Sequence, residues 1–269
     1  MFGKLMKYEM KSYLKIFLPF WIGLAVLSVL NGFTIRIMDS DRFDLGVITG
    51  FLTLSLYGVC IIAVAVISYI FVILRYWKGL LGREGYLMFT LPVSRDSLLS
   101  AKLLCAVCVK VVSFIVTGIS VLLTVSLAGG KETSDAILNG FAELIRGIGS
   151  DGEASVLLVV QGVFLGLFSV AKGILKLYAA MSIGHLARKN KGLCAFAVYI
   201  GFGAAVRTGV AVLSTGRMFY DSVKSLALNT EFTAEASTTA GYLILVELLG
   251  IVLYGLITRL VTCRQLNLE

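Results

Sequence analysis

Six apolar segments of bilayer-spanning length leave this chain very few ways to fold. They run at about 16–37, 46–74, 98–128, 155–176, 192–214 and 239–261. A helix crossing about 30 Å of hydrocarbon needs roughly 20 such residues. Only 15% of the chain is charged, 58% is hydrophobic, and the mean hydropathy is +0.92. A soluble domain of this length carries roughly 25% charged residues, so this chain has too few to wet a surface. Inside hydrocarbon every backbone polar group must be paired within the protein, which leaves helices or a closed barrel. Period-two alternation punctuated by turns is missing, which argues against a barrel. The expected fold is an all-α integral membrane protein with six transmembrane helices. No polar stretch is long enough to bury a core of its own, so residues 1–269 read as a single transmembrane domain.

A net charge of +8 invites a nucleic-acid reading, but its distribution points elsewhere. Lys4, Lys7, Lys11 and Lys15 form one basic set, and Arg75, Lys78, Arg83, Arg95 and Lys102 a second. Arg188, Lys189 and Lys191 follow, then Arg259 and Arg264. These sets alternate with acidic or balanced loops around Asp39–Asp44, Glu132–Glu153 and Asp221–Glu235. That is the positive-inside pattern. It predicts six spans, both termini in the cytoplasm and no nucleic-acid partner.

The N-terminus lacks the short apolar stretch and small-residue cleavage site of a signal peptide. Within residues 1–18 the four lysines share one helical face, opposite Phe2, Met6, Met10, Tyr13 and Phe17. This predicts an interfacial elbow helix with lysines towards anionic membrane lipid, bending at Pro19 into the first span. The alternative is one continuous first helix. Glu9 falls on the apolar side, so a basic group of the protein is its expected partner. The external loop, residues 129–154, carries Ile137, Leu138, Phe141, Leu144, Ile145 and Ile148 at helical spacing, which predicts a short amphipathic helix.

No phosphate-binding G-x-x-x-x-G-K-[ST] and no H-E-x-x-H occurs, and His185 is the single histidine. The sequence therefore offers no catalytic, cofactor or metal site of a recognised type, and the chain reads as a non-enzyme. Cys105 and Cys108 form a C-x-x-C inside a span, expected as packed thiols. Lys172 and Lys176 sit near the expected inner end of the fourth span, where snorkelling accounts for them. Lys110 lies deeper. Arg207 and Glu247 fall at matched depths in the fifth and sixth spans, and predict an intramembrane ion pair or gate. Gly162 and Gly166, and Gly201, Ala205 and Gly209, have the four-residue spacing that allows close helix approach.

Between spans two and three, residues 84–102 read Glu-Gly-Tyr-Leu-Met-Phe-Thr-Leu-Pro-Val-Ser-Arg-Asp-Ser-Leu-Leu-Ser-Ala-Lys. The basic N-terminal segment, the six spans and this charged Leu-Pro-Val-Ser-Arg segment together resemble the type-2 ABC exporter permeases of bacteria. The resemblance covers the layout of the whole chain; only the region from Gly85 to Leu103 is distinctive. It implies a cytoplasmic coupling segment over 83–97, with Arg83, Glu84, Gly85, Tyr86, Leu87, Phe89, Leu91 and Pro92 forming or flanking a short coupling helix. It also implies an ABC ATPase subunit and a second permease chain as partners, in the bacterial cytoplasmic membrane. The competing class is a secondary transporter or channel that needs no ATPase.

Overall fold

The computed structural model describes residues 2–38, 44–81, 95–150, 153–187, 189–225 and 232–262. Seven α-helices lie among them: α1 (Phe2–Met38), α2 (Asp44–Tyr76), α3 (Arg95–Ala128), α4 (Gly130–Ser150), α5 (Glu153–His185), α6 (Lys191–Ser225) and α7 (Phe232–Leu260). A single π-helical turn, Trp77–Leu81, extends α2. No strand occurs among the described residues. Every helix except α4 contains a stretch long and apolar enough to cross a membrane, six in all. The chain thus has the make-up of a multi-pass membrane protein. Helix α4 is the most amphipathic of the set and occupies the loop where such a helix was expected.

The domain read from the sequence packs as two compact units, Met1–Val72 with Ser97–Ser150, and Ile73–Asp96 with Asp151–Glu269. In the first unit, polar contacts fix the directions of the helices. Lys102 meets Glu9, Trp21 Nε1 donates to Ser113 Oγ, and Thr124 donates to the Ser28 carbonyl, so α3 runs parallel to α1. Tyr57 meets Ser120 and Lys110 meets Ser68, so α2 runs antiparallel to α3. Leu24, Tyr57 and Val64 form the apolar centre between them.

Contact between α1 and α3 begins in the first two turns of α1, where the Cys105 thiol reaches the Met6 carbonyl. Helix α1 passes through Pro19 without a break. The separate elbow over residues 1–18 is therefore not formed; the continuous alternative is the one observed. The physical reason is the apolar face itself. Tyr13 and Phe17 are buried, and both pack edge-on against Phe71 of α2. A face satisfied by protein needs no bilayer surface. Lys4, Lys7, Lys11 and Lys15 are all exposed, as their shared face required.

In the second unit, α5 packs against both α6 and α7. Helix α6 runs antiparallel to α5, joined by a tight turn in which Asn190 takes a left-handed φ of 53° and its carbonyl accepts from Cys194 N–H. Asparagine tolerates that backbone region better than most side chains. Just before the turn, the backbone of Ala195 comes so close to Gly184 that a Cβ there would lie 2.5 Å from its Cα. A backbone atom cannot rotate away. Gly184→Leu should therefore lower stability by about 1–3 kcal/mol, read as a drop in melting temperature in detergent. An unchanged melting temperature would show that the α5–α6 approach is looser than this.

Candidate functional site

The densest group of intramembrane charges lies in the second unit, where three helices each contribute one face. Lys172 and Lys176 are one turn apart on α5. Tyr199, Gly203 and Arg207 follow the same four-residue rhythm on α6, and Glu247, Gly250 and Tyr254 lie on one face of α7. Lys172 Nζ donates to Glu247 Oε1 at 2.6 Å, with both side chains largely buried. Gly250 makes this possible, because a Cβ there would fall 2.6 Å from Lys172 Cδ. The lysine stem lies in the gap that the missing side chain leaves. Glu247 Oε2 is buried with no hydrogen-bond partner.

Lys176 turns to α6. Its Nζ sits 4.1 Å from the centroid of the Tyr199 ring, a cation–π contact. It lies 3.0 Å from where a Cβ of Gly203 would stand. Lys172 stands one turn before Lys176 on α5, and Arg207 one turn beyond Gly203 on α6. Among the described residues no carboxylate lies within ion-pair distance of Lys176 or Arg207. Of these three cations, Lys172 alone meets a carboxylate among the described residues. At 1.5 Å per residue Lys172 stands about 20 Å from the His185 end of α5 and about 24 Å from Val156, near the middle of that candidate span. A charge held at such depth costs at least about 2.5 kcal/mol.

Two sequence expectations change here. Glu247 pairs with Lys172 and not with Arg207, because α5 packs against both of the other helices and offers a nearer cation. Lys172 and Lys176 do not sit at a helix end, because α5 continues to His185, beyond the expected end at 176. The small residues Gly162, Gly166, Gly201, Ala205 and Gly209 are exposed, and a Cβ at any of the four glycines would meet nothing within 4 Å among the described residues. Close approach falls instead on Gly184, Gly203 and Gly250.

The coupling residues Arg83, Glu84, Gly85, Tyr86, Leu87, Phe89, Leu91 and Pro92 lie outside the described residues. Their flanks do not. Tyr76, fully buried, stacks on Tyr178 of α5 at 4.0 Å, and its hydroxyl meets Ser182 at 2.7 Å. Trp77 lies edge-on to His185. On the far side, Arg259 of α7 donates to Asp96 of α3 at 2.7 Å. Both partners of that pair are exposed, so it marks position more than stability.

The first unit holds a second buried pair. Lys102 Nζ donates to Glu9 Oε1 at 2.7 Å, with both side chains almost inaccessible. Glu9 thus has the protein cation that its place on the apolar face demanded. Lys102, expected among the cytoplasmic basic residues, is that cation. Lys110 donates to Ser68 at 2.5 Å and caps the Tyr69 ring at 3.1 Å, so its role is internal. Cys105 is buried and Cys108 exposed, and neither is in a disulfide among the described residues.

Comparison with protein-family models, with curated proteins and with solved structures finds no match.

Proposed function

We propose that this chain is the membrane-spanning permease subunit of an ATP-driven exporter. It would work in the bacterial cytoplasmic membrane with both termini inside, beside a second permease chain and a separate ABC ATPase. The observation that carries this reading is the anchoring of the two flanks of residues 83–92. Tyr76 and Trp77 on one side are held by α5, and Asp96 on the other by α7. A force applied to the intervening segment by an ATPase would reach the helices that bear Lys172, Lys176 and Glu247. The positive-inside charge pattern and the absent phosphate loop agree with this division of labour. The exposed small-residue faces of α5 and α6 leave room for a second chain.

A secondary transporter is the alternative, favoured by the buried charges at mid-membrane depth. Co-purification separates the two. The tagged chain should bring down a stoichiometric ATPase, and Glu84→Arg should abolish stimulation of that ATPase while membrane insertion stays normal. Transport by the reconstituted chain alone, or a Glu84→Arg variant with unaltered ATPase activity, would favour the alternative.

A further inference from the structure

We infer that Lys176 and Arg207 form a binding site for the anionic head of a membrane amphiphile, a phosphate for which the two cations are the missing counter-charge. The site lies on the α5–α6 face of the second unit. As a binding site it stands on geometry alone; as a cargo site it rests on the exporter reading above.

Three observations converge. First, the cluster is unbalanced, with Glu247 already committed to Lys172 and no second carboxylate within ion-pair distance of Lys176 or Arg207 among the described residues. Second, the surplus cations are reachable. Arg207 is exposed and Lys176 half-buried, and neither is closed off by a carboxylate as Lys172 is by Glu247. Gly203, between the Tyr199 ring and Arg207 on α6, leaves open space where a larger side chain would press on Lys176 Nζ. Third, the polar patch has apolar margins. Phe196 and Ile200 on α6 project outward beside Tyr199. A soluble ion has no use for such margins, but acyl chains would lie along them.

The chemistry follows from the donors. Arginine offers a planar fork matched to two phosphate oxygens, and lysine a point charge for a third. The Tyr199 ring holds Lys176 Nζ over its face, so little side-chain freedom is lost on binding. Glu247 fixes Lys172 and keeps it from closing over the same anion.

The test uses the full chain in zwitterionic nanodiscs with dioctanoyl phosphatidate, dioctanoyl phosphatidylcholine and inorganic phosphate as probes. Binding is read by native mass spectrometry and by ligand-induced shift in melting temperature. Phosphatidate should bind and stabilise, and phosphatidylcholine should not. Inorganic phosphate should bind at least about tenfold more weakly; equal binding would make the source a soluble ion and overturn the amphiphile assignment. Arg207→Gln should weaken phosphatidate binding by about tenfold or more, as expected for loss of a charge-assisted contact. Lys176→Gln should do likewise. Arg207 is exposed, so its variant should keep the fold, and each ligand-induced shift is read against that variant's own ligand-free melting temperature, while Arg207→Lys should recover part of the affinity. Equal affinity in wild type and Arg207→Gln would overturn the site. So would a wild type that ignores phosphatidate but whose dimer dissociates in Arg207→Gln, since a second copy would then supply the anion. Phosphatidate binding without a co-purifying ATPase would keep the site and remove the exporter; a co-purifying ATPase without binding would do the reverse.

Discussion

A Glu9→Leu variant is expected to lose about 3–5 kcal/mol of stability, because it leaves Lys102 charged and buried without its carboxylate. The pair has all the features that make such a loss severe. The contact is 2.7 Å, and the side chains of Lys102 and Glu9 are 2% and 3% exposed. Ala101, Cys105 and Ala106 around Lys102 are likewise closed to solvent. Lys102→Met should also destabilise, since Glu9 loses the buried cation 2.7 Å away. Glu9→Leu combined with Lys102→Met should be far milder than either single change, since no orphan charge remains. Melting temperatures of the four proteins in one detergent measure the coupling. A double variant as unstable as the worse single one would show that the two side chains do not share their cost. There is also a local readout. The pair fastens the first turns of α1 to α3, so in Glu9→Leu, cysteines introduced at Met6 and Met10 should become as accessible to thiol reagents as those at Lys4 and Lys7.

That pair shows how much of the fold could be read directly. Six spans were legible because span length is set by bilayer thickness, and composition alone reports it. The lysine face of α1 was legible because charge periodicity survives any packing arrangement. Glu9 was legible as a residue wanting a cation, since it interrupts an apolar stripe. What could not be read was whether that stripe meets lipid or protein. Both solvents are apolar, and Tyr13 and Phe17 suit either. The difference lies in α3, where Lys102 falls on the contact line with α1. Its position beside Arg95 and Asp96 made it look like one more basic residue of a cytoplasmic loop.

The site in the second unit was half legible for a related reason. Matched depth correctly singled out Glu247 as a buried carboxylate with a cationic partner. It chose Arg207 because consecutive segments are commonly neighbours in space. In this unit α5 packs against both other helices, and depth cannot distinguish a cation on α5 from one on α6. The useful signals were present but small. Lys172 and Lys176 have helical spacing, and Gly250 stands one turn from Glu247, where it clears the path for a lysine stem. Placing the end of the fourth span at residue 176 concealed them, because it turned two mid-helix lysines into terminal ones. Hydropathy falls where lysines enter a helix, whether the helix ends there or carries a site.

Removing Glu247 should hurt more than removing Lys172, and the asymmetry tests the whole cluster. Glu247→Leu leaves Lys172 and Lys176 one turn apart on α5 and Arg207 on α6, with no carboxylate within ion-pair distance of them among the described residues. Their mutual repulsion adds to the cost of the orphaned Lys172, so the expected loss is several kcal/mol, visible as poor expression and a large fall in melting temperature. Lys172→Leu removes one of the three cations and leaves Glu247 on α7, with Lys176 one turn along α5 from the lost lysine. The excess positive charge falls, and the flexible Lys176 side chain, on the same helix as the lost lysine, can turn towards the carboxylate. The expected loss is roughly half as large. A simple isolated pair would give the opposite signature, two single variants of similar cost and a double variant that rescues both. Here Glu247→Leu with Lys172→Leu should rescue only partly, because Lys176 and Arg207 still face each other uncompensated. Adding Arg207→Gln to that double variant should recover more. Equal single-variant costs with full rescue by the double would mean that Lys176 and Arg207 are too far away to matter. The charge imbalance on which the anion site depends would then vanish.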